Sequence, residues 1–206
     1  MQVKKDDVRS RILAEAQGEF MRCGFSGASM RRIASLAGVG VANVYNYFSG
    51  KDEIFCQVVG PAVRQMERIL DEHHGSAARE DVMSLKDASF LSHAVDQYVS
   101  LIQGHRGLLS LLLFKAQGSS LEHYREDFTD RSTALVSQWF DSMKARHPSV
   151  NADFSKLFLH IHAAWLFTFV EEVVMHHVNG DELRRLVGDY IRFEVSGWAA
   201  LIGLNG

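Results

Sequence analysis

Apolar residues recur at helical spacing along most of the chain. The first pattern predicts a helix from about Asp7 to Cys23, which Gly24 then ends. Its apolar residues lie four apart and form one stripe, made of Val8, Ile12, Ala16 and Phe20. We expect this stripe to be buried against the elements that follow.

A second, tighter pattern comes next. Ser29 is a good N-cap for a short helix, and Gly38 can supply the left-handed residue that ends it. Gly40 is an acceptable N-cap for another short helix over Val41–Tyr47, and a further helix begins at about Lys51. Two short helices joined by a few residues that include glycine make a helix-turn-helix, which presents its second helix to the DNA major groove.

Longer helical patterns fill the rest of the chain. Pro61 predicts a kink or a restart in the fourth helix, and residues 74–86 lose helical periodicity and indicate a surface loop. Five further helices are predicted at about Asp87–Gln103, His105–Ala116, Leu121–Arg146, Ala152–Val178 and Asp181–Leu204. The pattern therefore predicts an all-α protein with a three-helix helix-turn-helix domain in residues 1–50 and a helical domain in residues 51–206.

The residues in and around the helix-turn-helix resemble the amino-terminal domain of the TetR family of transcription regulators. The resemblance covers about the first quarter of the chain and is carried by Arg11-Ile12-Leu13, Ala16, Phe20, Gly24-Phe25, Ser29, Ile33-Ala34, Ala37-Gly38-Val39, Val44-Tyr45, Tyr47-Phe48 and Lys51. It implies a small shared core of Phe20, Phe25, Ile33, Leu36, Val44 and Phe48. It also implies a repressor that binds a palindromic operator in double-stranded DNA, forms a homodimer through its last two helices and responds to a small-molecule effector.

Four candidate DNA contacts have side chains suited to base edges. Arg31 can pair its guanidinium with O6 and N7 of guanine, as the matching position does in some members of the family. Val41 and Ala42 are small and apolar, which suits contact with thymine methyl groups, and Asn43 can bond adenine or a phosphate.

The other four candidates suit the phosphate backbone or the helix start. Tyr45 and Tyr47 resemble the aromatic pair whose hydroxyls bond phosphates in the family, and Ser29 belongs to the same predicted set. Lys51 adds a positive charge beside the free backbone N–H groups of a helix amino end, which together make an anion site.

Charge is divided unevenly between the two predicted domains. Residues 1–51 carry eight Lys or Arg against four Asp or Glu, whereas the remaining residues carry 14 against 21. A phosphate-binding face requires basic charge near the helix-turn-helix, while the acidic remainder would be repelled by DNA. A solvated surface is the alternative explanation for the basic excess.

The predicted helix over residues 152–178 is apolar nearly all round, which is more than a surface helix can bury on one side. One interpretation is that it lines a ligand cavity together with residues of the preceding helices. The candidate wall residues are Tyr98, Phe114, Trp139, Met143, His162, Trp165 and Phe169. The alternative is that these residues form the bundle core or the seam of a dimer.

No catalytic residue, metal site or cofactor is predicted. Histidines and glutamates cluster between His160 and His177, but the Glu-x-x-His spacing of carboxylate bundle enzymes is absent. No nucleophile elbow or P-loop is present either. A small helical enzyme that keeps a vestigial helix-turn-helix is therefore a remote alternative.

Two cysteines, Cys23 and Cys56, have no metal-ligand spacing and are interpreted as reduced thiols in a cytoplasmic protein. The apolar run Leu108–Phe114 is too short to span a bilayer, and the amino terminus has no signal-peptide core. The second functional hypothesis is a DNA-binding regulator without a ligand cavity, controlled by a protein partner or by thiol oxidation.

Overall fold

The computed structural model describes residues 2–75, 81, 83, 85 and 87–204, with side chains from residue 6 onward. This part of the chain contains eight helices and no strand, which confirms the predicted all-α class. The helices are α1 (Gln2–Gly27), α2 (Met30–Leu36), α3 (Val41–Val44), α4 (Lys51–His74), α5 (Ala88–Phe114), α6 (Tyr124–Arg146), α7 (Lys156–Met175) and α8 (Gly180–Leu201). Most of the predicted 74–86 loop lies outside the described residues.

Glycine and local backbone geometry set several helix boundaries. Gly24 has φ 71° and interrupts α1 where the sequence predicts its end, and Gly38 has φ 66° between α2 and α3. Both values lie in the left-handed region that glycine enters without a Cβ penalty. His105, with φ −133° and ψ 20°, breaks α5 next to the predicted break. By contrast, α4 does not restart at Pro61 but continues through it.

The chain forms two compact units. Unit 1 consists of the residues up to Arg64 together with His105–Tyr124, and unit 2 consists of Gln65–Gly104 and the residues from Arg125 onward. Helices α4 and α5 therefore each contribute to both units. The boundary predicted after residue 50 separates a DNA-binding domain from an effector domain by function. That functional division stays a prediction.

Three phenylalanine rings form the centre of unit 1. The Phe20 and Phe55 ring centroids are 5.1 Å apart in an edge-to-face arrangement, and those of Phe25 and Phe55 are 5.3 Å apart. The rest of the predicted core is buried except at one position. Leu36 is 46% exposed, so its assignment to the core is wrong. It is the last residue of α2, where the chain turns away, and spacing alone did not reveal this.

The residues after the α5 break also belong to unit 1, which the sequence did not predict. The Phe25 amide donates to the Lys115 carbonyl at 2.9 Å, and the Lys115 ammonium donates to the Met21 carbonyl. Asp52 accepts hydrogen bonds from both the amide and the hydroxyl of Ser120, each at 2.7 Å. These bonds attach His105–Tyr124 to the end of α1 and the start of α4.

Unit 2 has its own hydrophobic core. Phe140 packs edge-on against Phe154 with ring centroids 4.9 Å apart, and it lies 5.3 Å from Trp198. Met143 is fully buried in the same cluster. This cluster brings together residues of α6, α7 and α8 and the segment before α7.

Candidate DNA-binding and effector sites

Backbone hydrogen bonds define the helix-turn-helix. Ser29 is the N-cap residue of α2 as predicted, and its carbonyl accepts from the Ile33 amide at 2.9 Å, although its hydroxyl makes no capping bond. Gly40 is the N-cap residue of α3, with its carbonyl accepting from the Val44 amide at 3.3 Å. The helix itself ends at Val44 and continues as turns, so it is shorter than the sequence predicts.

A buried glutamate joins α1 to α2. The Glu19 side chain is 2% exposed and forms ion pairs with Arg22 at 2.9 Å and with Arg32 at 3.0 Å. The hydrogen bond from Arg22 and the charges of both arginines lower the pKa of Glu19 below its ordinary value. Arg32 is thus engaged in holding α2. The Glu19-x-x-Arg22 spacing was a visible signal, whereas the Arg32 pairing spans 13 positions.

The predicted DNA contacts differ in exposure. Tyr45 is 54% exposed, while its neighbour Val44 is fully buried, so the short helix has one buried and one open face. Ser29, Arg31 and Ala42 are also exposed, and Val41, Asn43 and Tyr47 are half-buried. Asn46, which the sequence analysis missed, is exposed and donates its amide N–H to Asn43 at 3.1 Å. This open face is available to a duplex.

Lys51 has structural partners. Its Nζ donates to the Phe25 carbonyl at 2.7 Å and to the Ala28 carbonyl at 3.2 Å. The ammonium also lies 4.3 Å from the centroid of the Phe25 ring, a cation–π distance. These contacts satisfy carbonyls at the end of α1 and before α2, and they leave fewer Lys51 N–H donors for a phosphate. The predicted phosphate contact of Lys51 stays a prediction.

A cavity of about 230 Å³ lies within unit 2. Of the predicted wall residues, Tyr98, Trp139 and His162 do line it. The apolar part of its wall consists mainly of Met66, Ile69, Leu70, Phe90, Leu101, Phe128, Val136, Phe140, Leu159, Leu166, Phe167 and Val170. An apolar cavity with a few polar groups is the usual form of a small-molecule site.

The other four predicted wall residues lie elsewhere. Met143 is enclosed in the hydrophobic core, and Phe114 belongs to unit 1 and is 43% exposed. Trp165 is 44% exposed, and Phe169 stacks on Tyr190 with ring centroids 4.1 Å apart. Helical spacing placed Trp165 and Phe169 on the same stripe as His162, but of these three residues only His162 belongs to the part of α7 that lines the cavity.

Polar atoms without partners are concentrated at this cavity. Three buried side-chain atoms have no hydrogen-bond partner in the described part of the chain: His74 Nδ1, Trp139 Nε1 and Glu194 Oε1. All three residues line the cavity. Burying such atoms without a partner costs free energy, so their concentration here indicates a site that is completed by water or by a ligand.

Glu194 and His162 form the most polar part of the wall. His162 Nδ1 lies 3.2 Å from Glu194 Oε2. Burial raises the pKa of Glu194, and the charge and hydrogen bond of His162 together with a hydrogen bond from Trp198 only partly offset this effect. Burial and the Glu194 charge also raise the pKa of Tyr98 to about 12 and that of Tyr190 still further. Both phenols are therefore neutral hydroxyl groups at physiological pH.

Two other polar groups of the wall, His74 and Asp81, differ from Glu194 in their charge and in their partners. Burial and the neighbouring His73 lower the pKa of His74 to about 3, so its imidazole is neutral at physiological pH. Asp81 pairs with His147 at 2.9 Å and with Arg146 at 3.3 Å. The Asp81 charge is thus matched by the permanent cation of Arg146, whereas Glu194 has no arginine or lysine partner among the described residues.

The two cysteines have no metal-ligand surroundings. Burial raises the pKa of the Cys56 thiol, whose Sγ lies 3.4 Å from the Ser120 hydroxyl. Cys23 donates to the Glu19 carbonyl at 3.1 Å. Across the described residues, no three His, Cys, Asp or Glu side chains are grouped closely enough to hold a metal ion.

Comparison with solved structures extends the fold likeness over nearly the whole chain. FadR from Bacillus subtilis, in complex with stearoyl-CoA, has a TM-score of 0.60 and 16% identity, with 91% of this chain and 98% of that chain covered. NalD from Pseudomonas aeruginosa, the secondary repressor of the MexAB-OprM multidrug efflux pump, has a TM-score of 0.61 and 17% sequence identity. The match covers 95% of this chain and 96% of the NalD chain. SCO3833, a TetR-family regulator from Streptomyces coelicolor A3, has a TM-score of 0.59 and 24% sequence identity. The match covers 91% of this chain and 90% of the SCO3833 chain. These likenesses establish a shared fold.

Sequence comparison concerns the amino-terminal part. An uncharacterised HTH-type transcriptional regulator, YhgD from Bacillus subtilis (strain 168), is 30% identical over 66 residues, which are 32% of this chain. The match spans 35% of YhgD, about a third of its length. The family model described as bacterial regulatory proteins, tetR family, matches residues 12–58, which hold the helix-turn-helix. The amino-terminal part of the chain therefore matches the TetR family, and the chain as a whole shares its fold with the solved regulators above.

Proposed function

We propose that this chain is a repressor that binds a palindromic operator as a homodimer and leaves it when a small molecule enters the unit 2 cavity. One observation carries the proposal: a single chain holds a helix-turn-helix with an open face and an apolar cavity with unpartnered polar atoms. A regulator of this kind acts in the cytoplasm, where both DNA and metabolites are accessible. Coupling of about 1–3 kcal/mol between the two sites would lower operator affinity about 5- to 150-fold.

Exposed apolar side chains on the last two helices support the homodimer. On α7 they lie four residues apart at Leu157, Ile161 and Trp165, and on α8 Leu186 and Phe193 lie seven apart. Both spacings place the residues on one helix face. A second copy that covers these faces would remove them from water and would bring two helix-turn-helix motifs into one dimer. Two such motifs about 34–36 Å apart can bind the two half-sites of a palindrome.

Helix α7 has the length and apolar composition of a membrane span, as core helices of soluble proteins also do. Its Leu159, Phe167 and Val170 line the cavity, so α7 has a role inside unit 2.

The thiol-oxidation alternative is disfavoured at Cys56, because the raised pKa of this thiol lowers the fraction of reactive thiolate.

The test is an unbiased selection of DNA sequences bound by the purified protein at two salt concentrations. We expect a palindromic motif with half-sites about one helical turn apart. Tyr45→Phe should weaken binding to all sequences, and Asn43→Ala should also relax the preferred motif. Glu171→Gln is the control, because Glu171 lies in unit 2, outside both the cavity wall and the helix-turn-helix. Binding without any sequence preference would contradict the proposal.

A further inference from the structure

We infer that the unit 2 cavity takes an organic cation, a molecule with an apolar body and an amine or ammonium group that lies against Glu194. This inference rests on the proposed function, since it names the chemical class of the effector. It is drawn from three features of the wall: an unused acceptor, the balance of charge and the surrounding aromatic rings.

The unused acceptor is one oxygen of Glu194 on α8. Oε2 is 3.2 Å from His162 Nδ1, whereas Oε1 is buried and has no partner among the described residues. A carboxylate oxygen left in this state loses its hydration without compensation. A ligand N–H at this position would restore a charge-assisted hydrogen bond, which is about twice as strong as a neutral one.

The charge balance of the wall also favours a cation. Its described residues include the carboxylates of Asp81 and Glu194 but no lysine or arginine. The Arg146 guanidinium already pairs with Asp81, so that carboxylate has a permanent cation. Glu194 has only the His162 imidazole, which is positively charged only when protonated. Among these wall residues, no permanent cation is available for an anionic ligand.

Aromatic rings line the same part of the cavity. Trp198, Tyr98 and Tyr190 are wall residues, and the Trp198 ring centroid lies 4.7 Å from that of His162. The faces of indole and phenol rings attract ammonium groups, most strongly where water is excluded. Such rings would stabilise a bound cation and would also pack against its apolar body.

The experiment measures binding by isothermal titration calorimetry with two series of probes that differ only in charge. One series is decylamine, decanol and decanoate, and the other is 2-naphthylmethylamine, 2-naphthalenemethanol and 2-naphthoate. Stearoyl-CoA, the ligand in the Bacillus subtilis FadR structure, is the competing probe. We expect the amine of at least one series to bind about tenfold or more tightly than its alcohol, and the carboxylates and stearoyl-CoA to bind weakest.

Glu194→Gln should remove most of this amine preference, with a loss of about tenfold or more in amine affinity and little change for the alcohols. Glu171→Gln is the matched control, because Glu171 is half-buried on α7, pairs with Arg125 at 3.2 Å and lies outside the cavity wall. It should leave both affinities unchanged. The comparison of probes on the unaltered protein stands even if the Glu194 variant folds poorly.

Three results would overturn the inference: tighter binding of a carboxylate or of stearoyl-CoA, an amine preference that survives Glu194→Gln, or no binding of either series. Operator affinity is measured on the same preparations with and without the amine. An amine that binds at Glu194 but leaves operator affinity unchanged upholds the cation site and contradicts release by effector. Loss of sequence-specific DNA binding in the ligand-free protein would instead count against the proposed function.

Discussion

Two glutamates that are largely shielded from water are handled in opposite ways by the two units. Glu19 in unit 1 accepts hydrogen bonds from Arg22 and Arg32, and its pKa is lowered. Glu194 in unit 2 interacts with His162 and with the Trp198 side chain, but its oxygen Oε1 has no hydrogen-bond partner among the described residues, and burial raises its pKa. The first group is satisfied by its own chain, and the second is not.

This difference indicates that Glu19 is a structural group and that Glu194 is a group suited to bind a ligand. A carboxylate with complete hydrogen bonds and paired cations holds two helices in a fixed arrangement, which suits the frame of a helix-turn-helix. A carboxylate with an unused oxygen stabilises the empty protein poorly, but it gains more from a donor that enters the cavity. The following predictions test this contrast, from the largest expected effect to the smallest.

Packing should differ most clearly between the two units. Phe20→Ala should lower the free energy of unfolding by about 3–5 kcal/mol, because Phe20 is fully buried and contacts the rings of Phe25 and Phe55. Phe167→Ala should lower the free energy of unfolding by about 1–2 kcal/mol less than Phe20→Ala does, because the Phe167 ring already borders the cavity on one side and has fewer packing contacts to lose. Urea unfolding followed by circular dichroism measures both values, and equal losses would show that the cavity is not a packing defect.

A satisfied cation in unit 1 should behave as a structural group too. Lys51→Ala should lower the free energy of unfolding by about 1–2 kcal/mol, because the Ala28 carbonyl loses the Lys51 donor and the Phe25 carbonyl keeps only its bond from the Ala28 amide. The salt dependence of operator binding should change little. If Lys51 instead contacts a phosphate, the slope of log affinity against log salt should fall by about 0.9.

Removing the Glu19 charge should have a moderate effect with a defined pH dependence. Glu19→Gln should cost about 1 kcal/mol at pH 7, limited because Arg22 and Arg32 are more than half exposed and can be hydrated. Because the folded pKa of Glu19 is lowered, its contribution is present above its ordinary pKa of 4.5 and is lost as pH falls through the folded value. The variant should therefore lose less stability than the parent on acidification.

The smallest effect is expected at Glu194 in the ligand-free protein. Glu194→Gln should change the free energy of unfolding at pH 7 by less than about 1 kcal/mol, because it removes a buried charge together with that charge's pairing with His162 and keeps a side chain that can accept from Trp198. Its folded pKa is raised, so its contribution is most favourable below its ordinary pKa of 4.5 and declines as pH rises toward the folded value. The variant should lack this decline.

Tryptophan fluorescence gives a suitable readout for Glu194→Gln, because all three tryptophans, Trp139, Trp165 and Trp198, lie in unit 2. Melting temperatures between pH 4 and pH 7 then report on the unit that contains the change. A loss at pH 7 as large as that of Glu19→Gln would show that Glu194 is a structural group, and the contrast between the units would fail.

Much of the local structure could be predicted from the sequence because it depends on neighbouring residues. Gly24 and Gly38 break helices where a positive φ is needed, Ser29 and Gly40 occupy the predicted N-cap positions, and α4 begins at Lys51 as expected. Helical spacing also identified the stripe of α1 that is buried. Each of these features is decided within one or two turns of chain.

Tertiary structure decided what each predicted face meets. Spacing placed His162 and Trp165 on one stripe, but only His162 lines the cavity. Glu194 was missed, since its contact with His162 joins residues 32 positions apart on different helices. Helical periodicity determines which side chains share a face, whereas the partner of that face depends on how distant helices pack. The sequence by itself therefore determined the all-α class and the helix-turn-helix, because both depend on neighbouring residues. Only the packing of distant helices formed the cavity and left one Glu194 oxygen without a partner among the described residues.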